Sequence, residues 1–125
     1  MVIQVEQQDD VCVLRVEGRF VTGADPEYLS ARMDELKRLH RGKVLVDLRE
    51  MPYIGSTGLG FIVGIFTSVT MNGGHFVMVG LQPRVHEVFR LTRLSTIIPS
   101  APDVASGLAT LRAEGPQVGA ADARS

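Results

Sequence analysis

A short apolar run ending in an acid, Val44-Leu45-Val46-Asp47-Leu48, stands ahead of Pro52 and then of Gly55-Ser56-Thr57-Gly58-Leu59-Gly60. The run reads as a buried strand, and the apolar stretch that begins near Ser56 reads as a helix. A buried strand leading through a short loop into an apolar helix is a unit of an α/β sheet where strands and helices go on alternating. Ser56 then falls at a helix N-terminus, beside N–H groups with no intrahelical acceptor and at the positive end of the helix dipole. A hydroxyl there can cap the helix, and it can also carry a phosphate.

The rest of the chain supplies the partners of that strand. Met1 to Val5 and Val11 to Glu17 read as two strands around the polar turn Gln7-Gln8-Asp9-Asp10. Gly18 to Gly23 reads as an extended connection. Asp25-Pro26-Glu27 marks a helix start, with Asp25 as cap, and Leu29, Met33, Leu36 and Leu39 recur at helical spacing up to Gly42. The helix from Ser56 to Asn72 is expected to bury Leu59, Ile62, Val63, Phe66 and Val69, and Gly73-Gly74 ends it. His75 to Gly80 reads as a further strand, and Pro83 opens a helix carrying Val85, Val88 and Phe89. Thr96 to Pro99 is expected as a short edge strand. Pro102-Asp103 opens a last helix with Val104, Leu108 and Leu111. The order predicts a mixed sheet of four to five strands flanked by about four helices, over residues 1–113, followed by a disordered tail over 114–125. Ser56 is then expected just beyond the C-terminal end of a central strand, where α/β proteins place function.

Charge and composition exclude several classes. The net charge of -1 gives no field for nucleic acid or an anionic membrane. The longest apolar stretch, Leu59 to Thr70, falls short of the roughly 20 residues that span a bilayer. The start Met1-Val2-Ile3-Gln4 does not have the charged-then-apolar form of a signal peptide. The single cysteine, Cys12, cannot form an internal disulfide, which points to a reducing, cytoplasmic setting.

Catalytic readings find little. His40, His75 and His86 lie far apart, none with a second ligand at metal spacing. His40 reads as a solvated residue at the end of its helix, and Cys12 as core. Asp47 reads either as a catalytic acid or as a strand-end carboxylate bonding loop N–H groups. The glycines around Ser56 form neither a P-loop, since no Lys-Ser/Thr follows, nor the dinucleotide fingerprint, since their spacing differs. Weak nucleotide binding at the helix N-terminus stays open. No enzymatic activity, cofactor or metal is expected.

The segment from Val44 to Gly64, with Asp47-Leu48, Ser56-Thr57-Gly58-Leu59-Gly60 and the Gly73-Gly74 stop before Phe76-Val77-Met78-Val79, resembles the STAS domain. Within that superfamily it resembles the anti-anti-sigma factors, or anti-sigma factor antagonists. The resemblance implies a regulatory module that binds an anti-sigma factor with serine-kinase activity of the GHKL type. Carried over, the phosphorylated residue is Ser56, with Thr57 the less favoured neighbour, and Gly55, Ser56, Thr57, Gly58 and Leu59 form the partner-binding segment. A serine phosphatase resets the switch, and a monomer or weak dimer is expected. The chain departs from the family pattern in having Gly55 where many members carry an Asp. Gly18 is also followed by Arg19-Phe20-Val21 where many carry an acidic pair. Two other readings accompany this one: a non-switching partner subunit of an ABC-type lipid transport system, and a weak nucleotide-binding module.

Overall fold

The computed structural model describes residues 2–18, 26–39 and 42–113. The connection beyond Gly18, the Asp25 cap, His40 and the 114–125 tail lie outside the described residues. The elements are β1 (Val2–Gln8), β2 (Val11–Glu17), α1 (Pro26–Leu39), β3 (Lys43–Glu50), α2 (Ser56–Met71), β4 (His75–Val79), α3 (Pro83–Leu91), β5 (Ser100–Ala101) and α4 (Val104–Ala113). The strands form one sheet in the order β1-β2-β3-β4-β5. β1 pairs antiparallel with β2 through the tight Asp9-Asp10 turn, in which Asp9 takes a φ of 56°. Every later pair is parallel. This is the mixed α/β sheet that the strand and helix order predicts.

Alternation along the strands assigns the two faces. Cys12, Leu14 and Val16 of β2, Val44, Val46 and Leu48 of β3, and Phe76 and Met78 of β4 share a core with α1, α2 and α3. Val11, Val13, Leu45, Val77 and Val79 point the other way and meet Leu108 and Leu111 of α4. Three helices therefore cover one face and a single helix covers part of the other. Strands buried on both sides read as near-continuous apolar runs, which is why Val44–Leu48 shows no alternation.

Three expectations are corrected. The turn expected over Gln7 to Asp10 shrinks to Asp9-Asp10, because β1 runs on past Val5 and Gln7 and Gln8 pair with Cys12 and Val11. α2 buries Gly58, Phe61, Ile62, Ile65 and Val69, whereas Leu59, Val63 and Phe66 sit at the margin of the core. The helix has no charged residue to mark an outer face, so its apolar pattern leaves the phase of the buried stripe open. Phe66 instead meets the edge of Phe76, with ring centroids 5.5 Å apart at 79°. The expected strand over Thr96 to Pro99 is displaced. Leu94–Thr96 forms a 3-10 turn entered through Arg93 at a φ of 64°, and pairing starts only at Ser100. Pro99 has no N–H for a ladder, but its carbonyl still accepts from the Met78 N–H at 3.0 Å.

Candidate functional site at the start of α2

β3 delivers Ser56 to the C-terminal end of the sheet. β2 and β3 stay in register from Cys12↔Val44 to Arg15↔Asp47, then shift so that Glu17 pairs with Glu50. The extra residue on β3 is a bulge, closed by the Gly18 N–H donating to the Glu50 carbonyl at 2.9 Å. In the loop that follows, Met51 and Ile54 are buried and anchor it to the core, leaving Pro52 and Tyr53 exposed.

Ser56 does not cap α2. The cap position belongs to Gly55, in extended backbone with φ -100° and ψ -174°, and among the described residues no side-chain cap bond is made there. The first intrahelical bond runs from the Leu59 N–H to the Gly55 carbonyl at 2.9 Å. The N–H groups of Ser56, Thr57 and Gly58 therefore precede the helical ladder, and the first turn carries no acid. Ser56 and Thr57 are exposed, Gly55 and Leu59 are half-buried, and Gly58 is buried beneath them. The sequence segment Gly55 to Leu59 thus presents two adjacent hydroxyls to solvent at the positive end of α2.

Asp47 lies on the opposite face of the sheet, level with this loop, and is 2% exposed. It accepts from the Arg49 N–H at 3.1 Å, from Arg49 Nε at 3.0 Å and Nη2 at 2.8 Å, and from Arg15 Nε at 3.4 Å. Arg15 Nη1 donates in turn to Glu6 at 2.8 Å. Burial pushes the Asp47 carboxyl up, but the hydrogen bonds and charge of Arg49, with Arg15, outweigh it and hold the group below the usual carboxylate range. Asp47 therefore matches its second sequence reading only in being bonded: it lies inside β3 rather than at its end, and its donors are the Arg49 N–H and the Arg49 and Arg15 guanidiniums rather than loop N–H groups. Sequence reasoning missed Arg49 and Gln82, whose Nε2 donates to the Arg49 carbonyl at 2.7 Å. A visible signal was there: residues 47 and 49 have opposite charge and share one face of a strand.

The other candidates have structural places. Cys12 is buried in the core, and burial, with the charge of Glu35, pushes its thiol up to about 11. Among the described residues no group of three or more His, Cys, Asp or Glu gathers as a metal site, and no helix is long and apolar enough to cross a membrane.

Comparison with known proteins identifies the fold and the family. The chain is 35% identical over 83 residues to an anti-sigma-B factor antagonist of Listeria monocytogenes, covering 63% of this chain and 73% of the relative. Its fold matches the crystal structure of an anti-sigma factor antagonist from Mycobacterium paratuberculosis with a TM-score of 0.77, at 23% identity over 89% of this chain and 93% of that one. It also matches the Bacillus cell fate determinant SpoIIAA in its phosphorylated form, with a TM-score of 0.66 at 17% identity, over 89% of this chain and 100% of that one. The STAS domain profile matches residues 2–107, and the chain belongs to the STAS domain family.

Proposed function

We propose that this STAS domain is an anti-sigma factor antagonist that works by partner switching. In the unmodified state the surface around Ser56 binds an anti-sigma factor with GHKL-type serine-kinase activity. That kinase phosphorylates Ser56, the modified module releases it, and a serine phosphatase restores binding. The reading places the protein in the cytoplasm, assigns it no catalytic role and makes Thr57 the lesser acceptor.

The observation that carries this reading is the exposed Ser56 hydroxyl with no capping duty, since Gly55 holds the cap position. A side chain free of structural work can take a phosphate without loss of the fold. Phosphorylation adds about -1.5 to -2 charge at one point. At a helix N-terminus that charge is tolerated by the domain, but it opposes a partner that has to bury the same surface. The relative named an anti-sigma-B factor antagonist and the phosphorylated SpoIIAA structure support the reading. Incubation with a GHKL kinase and ATP, followed by intact-mass measurement and site mapping, tests it. A single phosphate on Ser56 is the expected result; modification elsewhere, or none with the cognate kinase, rejects it.

A further inference from the structure

Arg49 is more tightly held than its exposure requires. Its side chain is 52% exposed, yet both side chain and backbone N–H bind the buried Asp47 carboxylate. Its stem fills the space beside Gly80, which takes a φ of +69°, so that a Cβ on Gly80 would collide with Arg49 Cγ. Its carbonyl accepts from Gln82, the residue at the cap position of α3. One residue thus joins the end of β3, from which the Ser56 loop departs, to the loop between β4 and α3. Both loops sit at the same end of the sheet. The groups facing the pair are Arg15 on β2, Glu6 of β1 behind it, Glu50 on β3 and Asp103 ahead of α4.

We propose that Arg49 is a positioning residue for the Ser56 surface: its link to Asp47 and its contacts with Gly80 and Gln82 lock the β3–α2 and β4–α3 loops into one face that a partner meets as a unit. The proposal rests on the reading of Ser56 as the partner-binding site. A guanidinium pinned by a buried carboxylate loses little freedom on binding, so the face it organises is paid for at folding rather than at association. The bidentate fork matters, since a point cation cannot satisfy two carboxylate directions at once.

Amide NMR of the full chain tests this without any partner. In the native protein the Tyr53–Thr57 and Leu81–Gln82 signals stay sharp and share no common titration above about pH 5, where carboxylates near the ordinary value of about 3.9 are ionised. In Arg49→Met, Asp47 stays buried with Arg15 as its remaining cation, so its proton affinity rises. Both sets of signals then broaden and shift together in one titration above that range. Arg49→Lys restores them in part, and Asp47→Asn in the Arg49→Met background abolishes the titration. Gln82→Ala, which leaves Asp47 paired, broadens both loops without a titration. Loop signals unmoved in Arg49→Met and Gln82→Ala, or moved in only one loop, overturn the proposal. With the cognate kinase, Arg49→Met raises KM about tenfold and leaves kcat unchanged, the pattern of lost binding rather than lost chemistry. If the loops respond as stated but native Ser56 is never phosphorylated, the switching reading fails while the coupling of the two loops stands.

Discussion

Gly107 of α4 lies so close to Val79 of β4 that a Cβ on it would collide with the valine Cγ1, and it would stand 2.9 Å from Leu45 Cδ1. This contact lets a single ten-residue helix seat on its face of the sheet. Gly107→Ala gains helix propensity of about 1 kcal/mol but overpacks a buried seam, which costs about 1–3 kcal/mol. The expected net result is a loss of stability of about 1 kcal/mol in denaturant titration, with Gly107→Val worse.

Asp47 makes stability depend on pH in a defined direction. Its folded value lies below that of the unfolded chain, so its contribution is present above the ordinary Asp value of about 3.9 and is lost as pH falls through the lower folded value. Asp47→Asn removes a carboxylate bonded by two arginines and is expected to cost about 1–3 kcal/mol at neutral pH. It also flattens the acid limb of the stability curve. Melts of both proteins across acidic pH check this.

Cys12 should behave as core rather than as a reagent. With its thiol raised to about 11, little thiolate exists at neutral pH, and the group is buried. The native protein is expected to resist a thiol-alkylating reagent until it is unfolded in denaturant. Rapid labelling of the folded chain would contradict the burial assigned here.

Much of this architecture was legible because it depends on strong, local signals. The Val44–Leu48 run, the Pro83 start of α3 and the Gly73-Gly74 stop after α2 each combine a hydrophobic pattern with a residue of restricted or unusual backbone freedom. The phase of α2 was not legible, because Leu59, Phe61, Ile62, Val63, Ile65 and Phe66 offer several apolar stripes and only packing on the sheet chooses among them. The short β5 escaped for a related reason: Ile97 and Ile98 look like strand, but Arg93 turns the chain and Pro99 delays pairing. At the candidate site, the place of Ser56 between glycines marks it as the start of a helix, which is where α2 begins. Its freedom from capping became visible only once Gly55 was seen in the cap position. The link from Arg49 to Gln82 joins residues 33 apart and depends on a loop conformation that no local pattern encodes.

Negative charge at residue 56 is expected to leave the fold intact. α2 has no acid in its first turn, and Gly55 offers no side-chain cap. Ser56→Asp should therefore melt at or slightly above the native temperature, consistent with about 0.3–1 kcal/mol for an anion at a helix N-terminus. A clear fall in melting temperature would show that Ser56 has a structural duty not visible in its contacts.

The proposed switch is tested most directly by titrating the native protein, Ser56→Ala and Ser56→Asp against the anti-sigma kinase proposed as its partner, under identical conditions. The account predicts equal affinity for the native protein and Ser56→Ala. It predicts a loss for Ser56→Asp of about 2–5 kcal/mol, the range for a charge buried without a partner at an interface. Equal affinity of folded Ser56→Asp and the native protein would contradict it.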